Sequence, residues 1–415
     1  MTIYVDRVKR MRGYKEPNGS FAAQGALGSF FEIPFVEGTC TVTRDRPTES
    51  PGHSQQHLDG HPLEVLMPKR ATMTFDVPLE TFSTKATSTV AATHGHVGAL
   101  LEIIMGAKSL GTGTTVNDAS PATILNTLTT VTNILAGQAI GYATGTGGAL
   151  EVRTIADKTG SDISVKHALT AAPSNGGTAY SSATYYMSGT DGSQTLSLQI
   201  AYEGLFSSDR YVLLGGWLSS PPKLALGVGG RPILTTTWTF ANWLQDADAT
   251  ADLSGALAAA TYTNTVALVH KDSEFRSQVV GTTTIGTLLQ ASEISFEPNI
   301  VYGVQTSSAG TNNVVQPIRL RSNPVIKCSF TLPFEDLTWF TARDNRTKHD
   351  LTLQIGSAVA TGAIYIELSN GQVTDVQLVE AEGITAQRVT VVGGLDTAAG
   401  TTNDLQQSAF RIHLL

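Results

Sequence analysis

Three histidines, His53, His57 and His61, recur at intervals of four residues, a spacing that could in principle hold a metal ion. On an α-helix this interval would align three imidazoles on one face, where they could bind zinc. Pro51 and Pro62, each with a glycine close by, bracket the three histidines and interrupt any helix there. We therefore interpret them as exposed loop histidines and predict no metal site.

The other residues that could do chemistry lack partners at catalytic spacing. His94 and His96 form a His-x-His pair, but no further ligand stands nearby, and we place them at the start of a helix. Residues 227–230 read Gly-Val-Gly-Gly, yet a strand follows them rather than the helix that a phosphate site requires. Neither Cys40 nor Cys328 lies in a nucleophile context. We therefore predict that the chain is not an enzyme and uses no cofactor.

Composition limits the function classes further. The 415 residues include 15% charged side chains, against about 25% in typical domains, with a net charge of −8 and a pI near 5.6. The only basic run is short, at residues 7–12, so tight binding of a nucleic-acid backbone is not expected. A low-charge surface suits a protein that neighbours cover. Two cysteines and the lack of any apolar run of about 18 residues predict a soluble protein that folds in a reducing cytoplasm.

Alternation of apolar and polar residues dominates the chain and predicts half-buried antiparallel strands. Two of these strands occur twice. Leu-x-Leu-Gln-Ile occupies residues 196–200 and 351–355, and Phe-x-x-Pro-x-Glu begins at Phe75 and at Phe330. Because both motifs recur in the same order, we predict that one β unit is used twice.

Each copy is predicted to carry one helix, at residues 96–107 and 334–346, and the first copy also carries an insertion. The two motifs are offset by 351 − 196 = 155 and 330 − 75 = 255 positions, so the first copy holds roughly 100 extra residues, the size of a small domain. We assign the insertion to a β module at residues 111–192. The predicted domains are residues 1–110 with 193–250, the module at 111–192, and residues 251–415. Asn370-Gly371 predicts a hairpin turn inside the second copy.

This order of elements resembles the tail tube (major tail) protein family of long-tailed bacteriophages. The resemblance rests on residues 71–80, 96–107 and 194–240, and again on residues 324–335, 334–346 and 349–392. It implies two tandem antiparallel β-sandwich or half-barrel domains, each with a flanking helix, and a module on the outer surface. It also implies a structural virion protein whose stacked rings form the tail tube, a channel for DNA. The family forms rings of six single-copy subunits, so a two-copy chain implies a homotrimer ring, with a hexamer as the alternative.

The resemblance further implies particular surfaces and partners. Two long segments, residues 44–62 and 297–316, match the position of the loop that reaches the next ring. The residues proposed for ring stacking are Arg44, Asp45, Arg46, Asp59, Glu297, Asn299, Tyr302 and Asn312. The residues proposed for the channel are Gln199, Gln354, Glu367 and Asp375. The implied partners are further copies of the chain, the tail terminator, tape measure and tail-tip proteins, and DNA in passage without tight binding. The implied location is the virion tail, assembled in the host cytoplasm and without membrane contact.

Two other function classes compete with this interpretation. A virion decoration protein or carbohydrate-binding module would need an exposed aromatic platform, whereas Trp217, Trp238, Trp243 and Trp339 look like core or interface residues. A β hydrolase would need paired acids at catalytic spacing, which the sequence lacks.

Overall fold

The fold is mainly β, with antiparallel sheets and a half-barrel, as the alternation predicted. The computed structural model describes residues 8–16, 31–45, 48–49, 65–66, 69–82, 97–118, 122–144, 149–187, 195–202, 210–227, 230–245, 265–267, 273–300, 302–303, 318–319, 325–357, 362–381, 383–396 and 404–415.

The elements fall into a first half, an inserted module and a second half. The first half begins with β1 (Val8–Glu16), β2 (Phe31–Glu32), β3 (Thr41–Asp45), β4 (Thr48–Glu49), β5 (Val65–Leu66), β6 (Arg70–Pro78), β7 (Glu80–Phe82), α1 (Val97–Met105) and β8 (Gly106–Leu110). The module contains β9 (Gly113–Thr115), β10 (Leu125–Thr127), β11 (Ala139–Thr144), β12 (Ala149–Thr159), β13 (Asp162–Val165) and β14 (Thr178–Ser181). The first half then resumes with β15 (Ala183–Met187), β16 (Thr195–Tyr202), β17 (Arg210–Leu218), β18 (Lys223–Gly227) and β19 (Ile233–Gln245).

The second half contains the remaining strands and two helices. They are β20 (Thr265–Ala267), β21 (Ser273–Val279), β22 (Thr287–Leu288), β23 (Glu293–Pro298), β24 (Tyr302–Gly303), β25 (Ile318–Arg319), β26 (Ile326–Pro333), α2 (Thr338–Asp344), β27 (Lys348–Ile355), β28 (Ile364–Ala381), β29 (Ile384–Val392), α3 (Asp404–Gln407) and β30 (Phe410–Leu414). Helices α1 and α2 lie within the two predicted helical segments, which confirms that part of the pattern.

The two halves share one set of strand pairings. In the first half β1 pairs with β2 and β16, β3 with β6, β16 with β17, and β19 with β6, β17 and β18. In the second half β21 pairs with β22 and β27, β23 with β26, β27 with β28, and β29 with β26 and β28. The two long segments match as well. A short two-stranded pair brings the two ends of each segment together, β4 with β5 in the first half and β24 with β25 in the second. The two halves therefore agree in these strand pairings, while the use of one β unit twice stays a prediction.

A single apolar core runs through both halves. The repeated motif phenylalanines Phe75 and Phe330 are buried in it, together with Trp238 and Phe296. Helix α1 buries seven of its nine residues in this core. By contrast, helix α2 buries only Trp339 and Ala342.

The inserted module has its own six-stranded sheet, in the order β10-β13-β12-β11-β14-β9, and its own apolar core. The module contacts the second half directly. The backbone N–H of Leu150 in the module donates to the carbonyl of Ser357 in the second half, at 2.5 Å. The last strand, β30, lies between β28 and β15 and so connects the second half to the strand that leaves the module. The end of the chain therefore holds all three units together.

The predicted hairpin at Asn370-Gly371 is wrong. Both residues lie inside one 18-residue strand, β28, in which Asn370 takes a φ of 51°. The N-terminal part of β28 pairs with β27, and the C-terminal part pairs with β29. Gly215, with a φ of 65°, bends β17 in the first half in the same way. The positive φ that the Asn-Gly pair favours therefore serves a corner within one sheet, between the parts of β28 that pair with β27 and with β29, rather than a reversal of the chain.

The corner in the first half leaves no room for a side chain at Gly216. A Cβ there would lie 2.3 Å from Cε1 of Phe240 and 2.6 Å from the carbonyl oxygen of Leu196. We expect Gly216→Ala to lower the free energy of unfolding by about 1–3 kcal/mol, measured by urea denaturation. Gly227→Ala is the matched control, because a Cβ at Gly227 meets nothing within 4 Å. Equal losses for the two variants would contradict this account of the corner.

Candidate assembly surfaces

The two halves join edge to edge through β18 and β23. Leu224 opposes Phe296 and Gly227 opposes Glu293 in an antiparallel pairing. Leu224 is only 3% exposed in this joint, and Phe296 is buried with it. The sheet therefore continues without a break from the first half into the second.

Each of the two joined strands has a counterpart in the other half: β18 corresponds to the C-terminal part of β28, and β23 corresponds to β3. Among the described residues, neither counterpart has a strand paired along its outer edge. Leu378 on β28 opposes Gln387 as Leu224 on β18 opposes Leu234, so Leu378 corresponds to Leu224. Within the described residues, the C-terminal part of β28 pairs with β29 alone, and β3, the counterpart of β23, pairs with β6 alone. Leu378 is accordingly 57% exposed. One chain thus carries two unlike open edges that correspond to the two sides of its own internal joint.

The sheet that contains these edges presents a hydroxyl-rich surface on the side away from the core. We call this surface the polar sheet face; it is formed by Thr41, Thr43, Thr72, Thr74, Thr235 and Thr237 in the first half and by Ser295, Ser329 and Thr390 in the second half. The Thr74 and Thr237 hydroxyls lie 3.1 Å apart, and their counterparts on Ser329 and Thr390 lie 3.3 Å apart.

Two ion pairs lie on the polar sheet face. The Nζ atom of Lys223 lies 3.5 Å from a carboxylate oxygen of Glu297, and an Nη atom of Arg388 lies 3.5 Å from a carboxylate oxygen of Glu293. Both pairs are substantially exposed, so solvent screens them. Such a face hydrates well and offers no cluster of cations to a phosphate backbone.

The residues proposed for ring stacking divide into three groups. Arg44 and Asp45 lie in β3, and Glu297, Asn299 and Tyr302 lie in or directly after β23 and in β24; Arg46, Asp59 and Asn312 lie outside the described residues. The Arg44 guanidinium stacks 3.8 Å from the ring centre of Tyr211, and Tyr302 packs against a small apolar cluster on the first half. Arg44 and Tyr302 therefore already contact the first half of their own chain.

Of the four residues proposed for the channel, only Asp375 lies on the polar sheet face, opposite Thr390. Gln199, Gln354 and Glu367 are buried within the chain, so the expectation that they line an open channel needs correction. Gln354 shows the reason: its amide donates to the carbonyl of Leu150 at 2.7 Å and accepts from the N–H of Val152 at 3.0 Å. The alternation predicted the strands correctly, but the module covers the face of β27 and β28 that carries Gln354 and Glu367.

A buried charge cluster holds the module against the second half. The Glu367 carboxylate, 0% exposed, accepts from Lys166 at 2.9 Å, from Arg411 at 2.7 Å and from the Thr154 hydroxyl at 2.7 Å. Lys166 also pairs with Asp396. Burial alone would raise the pKa of Glu367, but the charges of Lys166 and Arg411 hold it well below 4.5.

His413 lies at the edge of the same cluster. Its Nδ1 atom is 2.8 Å from the Thr184 hydroxyl, and its ring is fully buried. Burial lowers the pKa of His413 to about 3, which outweighs the attraction of Glu367. The sequence gives one signal of this arrangement, since Arg411 and His413 alternate with apolar residues and so share one face of β30. Nothing in the local pattern indicates Lys166 as their partner.

The four tryptophans, all of which the structure describes, do not form the exposed platform that a carbohydrate-binding module would need. Trp217, Trp238 and Trp339 are buried, and Trp243 is half-buried with Lys69 and Tyr211 beside its ring. Within the described part of the chain, no group of three or more histidine, cysteine or acidic side chains is placed to hold a metal ion. No helix among the described residues has both the length and the apolar character needed to cross a membrane.

Comparison with models of known protein families finds no match for this chain, and comparison with curated proteins finds none either.

Proposed function

We propose that this chain is a structural subunit that closes into rings through its two open edges, and that the rings stack into the tail tube of a long-tailed bacteriophage. The observation that carries the proposal is the internal β18–β23 joint. It leaves on each chain one β28 edge and one β3 edge that are the counterparts of its two sides. A second copy supplies the missing strand at each edge, with Leu378 opposite Val42 as Leu224 lies opposite Phe296.

The two open edges are unlike, so the contact is head to tail and closes only as a ring. Each half contributes four strands to the continuous sheet: β3, β6, β19 and β18 in the first half, and β23, β26, β29 and β28 in the second. Three chains then give six similar lobes, as six single-copy subunits would. Ring closure also removes the exposed edges that would otherwise favour aggregation.

The polar sheet face is the proposed channel wall. Its hydroxyls hold water, and its cations Lys223 and Arg388 are each paired with a carboxylate, so DNA would pass without tight binding. The module packs on the N-terminal part of β28, beyond the corner at Asn370, which supports a place on the outer surface. Tail terminator, tape measure and tail-tip proteins are the further partners that this role in the virion tail requires.

A disulfide across the proposed contact tests the ring and counts its members. We would introduce V42C and L378C into a Cys40→Ser background, because Cys40 is a free thiol next to β3. Oxidation is expected to give a covalent ladder that ends at three chains on a non-reducing gel. Negative-stain electron microscopy should then show threefold rings with six lobes.

The matched control is T43C with L378C, since Thr43 points to the opposite face of the same strand. It should give no ladder. A protein that stays monomeric at high concentration, or a ladder that forms equally well in the control, would contradict edge pairing. A ladder that ends at six chains would replace the trimer by a hexamer.

A further inference from the structure

One lysine and two carboxylates meet inside the buried charge cluster between the module and the second half. The Nζ atom of Lys166 pairs with Oδ2 of Asp396 and lies 2.9 Å from Oε1 of Glu367. The side chains of Lys166, Asp396 and Glu367 are 14%, 9% and 0% exposed. Water therefore has little access to this amine. Three other lysines also pair with carboxylates, but their side chains are at least 38% exposed: Lys15, Lys108 and Lys223.

The backbone holds the amine and the Asp396 carboxylate in contact. Lys166 directly follows β13 in the module, and its N–H donates to the carbonyl of Thr154 at 2.9 Å. Asp396 follows β29 in the second half, and its N–H donates to the carbonyl of Gln407 at 3.1 Å. Groups fixed in contact in this way can react as if present at about 10⁵–10⁸ M.

The surrounding side chains can move protons and stabilise charge. The Ser369 hydroxyl lies 3.3 Å from Nζ of Lys166 and donates to Oε1 of Glu367 at 2.9 Å, so it links the amine to this second carboxylate. An Nη atom of Arg411 lies 3.8 Å from Oδ2 of Asp396. A guanidinium in that position stabilises the negative charge that develops on the Asp396 carboxyl group when a nucleophile attacks it.

We propose that Lys166 and Asp396 condense to an isopeptide bond, which ties the module covalently to the second half. Nζ of Lys166 attacks the carboxyl carbon of Asp396, so that one C–N bond forms and one C–O bond breaks. Two of the three Nζ protons pass by way of Glu367 to the departing oxygen of Asp396, which leaves as water. The third proton stays on the amide nitrogen. The ion pair already holds every atom of the two products, so no co-reactant takes part.

Burial favours the amide over the ion pair. Each buried ion costs several kcal/mol in lost hydration, whereas the amide carries no charge. Glu367 keeps Arg411 as its partner after the reaction. Burial opposes the charged form of Lys166, but the charge of Glu367 holds its pKa above the usual 10.5. The amine therefore rests as an ammonium ion, and we expect the bond to form slowly, after the chain has folded.

Mass spectrometry of the denatured wild-type chain tests the bond directly. After several days at room temperature, most of the protein should be lighter than its sequence mass by one water molecule. Trypsin does not cleave after an acylated lysine, so a digest should contain a branched peptide that joins residues 159–210 to residues 389–411. Water lost by succinimide formation at an Asp-Gly pair would leave these two peptides separate.

Matched variants assign the reacting groups. Lys166→Arg keeps the positive charge but not the nucleophilic amine, and it should keep its full sequence mass. Lys158→Arg is the control, because Lys158 donates to the carbonyls of Val131 and Ile134, and it should lose water as the wild type does. Glu367→Gln removes the proton carrier and should slow the loss by roughly 100-fold or more. Thermal unfolding shows whether each variant folds.

The wild-type measurement does not depend on the folding of any variant. Wild-type protein that keeps its full sequence mass after the incubation would overturn the isopeptide bond. A loss of water that persists in Lys166→Arg would overturn it too. The measurement needs no rings, so its result and that of the ring experiment are independent of each other.

Discussion

Replacing Arg411 by methionine is expected to lower the free energy of unfolding by about 3–5 kcal/mol. The Arg411 guanidinium is 0% exposed and donates to Glu367, and it also donates to the carbonyl of Leu405 at 2.7 Å. Methionine fills a similar volume but leaves the Glu367 carboxylate buried with one cation fewer. The loss therefore comes from an uncompensated charge rather than from a cavity. Urea denaturation followed by tryptophan fluorescence measures it.

Two further variants separate this effect from a general loss of charge. Lys223→Met breaks an ion pair whose side chains are 52% and 45% exposed, and it should cost less than about 1 kcal/mol. The double variant R411M/E367L removes the stranded carboxylate and should recover part of the stability of R411M. Equal losses of unfolding free energy for R411M and Lys223→Met would contradict this account. They would mean that the buried cluster does not hold the module against the second half.

The stability of the protein should fall by about 3 kcal/mol between pH 7 and pH 4 through His413 alone. The folded protein keeps His413 neutral, since burial lowers its pKa to about 3, while the unfolded chain takes up a proton below about pH 6.5. The unfolded state then binds more protons, so acid favours unfolding. The stability present at neutral pH is lost as the pH falls from 6.5 toward 3. Glu367, whose pKa is also lowered, adds a loss in the same direction at lower pH.

Urea denaturation of the wild type and of His413→Asn from pH 4 to pH 7 measures this contribution. Asparagine can still hydrogen-bond to the Thr184 hydroxyl, but it does not titrate. The difference in unfolding free energy between the two proteins should therefore shrink by about 3 kcal/mol from pH 7 to pH 4. The His349 pKa is also lowered by burial, and it stays in both proteins as an internal reference. Parallel curves for the two proteins would show that His413 titrates normally in the folded state.

Much of the fold could be predicted because the information is local. Alternation around Phe75 and Phe330 specifies strands whose one face is buried, and the register of such strands is set by that burial. Helical spacing indicated α1 and α2 in the same way. The Asn370-Gly371 prediction failed because a positive φ is compatible with a hairpin, a bulge or a corner. Which of the three forms depends on the neighbouring strands. Here β28 pairs with β27 before the bend and with β29 after it, so it continues as one bent strand.

The sequence by itself determined that the chain is built mainly from antiparallel strands, and it predicted that one unit recurs and that a module interrupts the first copy. Each of these follows from the order and period of apolar residues along the chain. Tertiary structure alone decided which polar side chains are exposed. Gln354 and Glu367 alternate with apolar neighbours as Asp375 does, yet the module buries the first two and leaves the third on the polar sheet face. It also decided that Leu224 is covered while its counterpart Leu378 is open. The physical reason is that alternation reports two faces of a strand, whereas the partner that covers each face comes from residues far away in the chain.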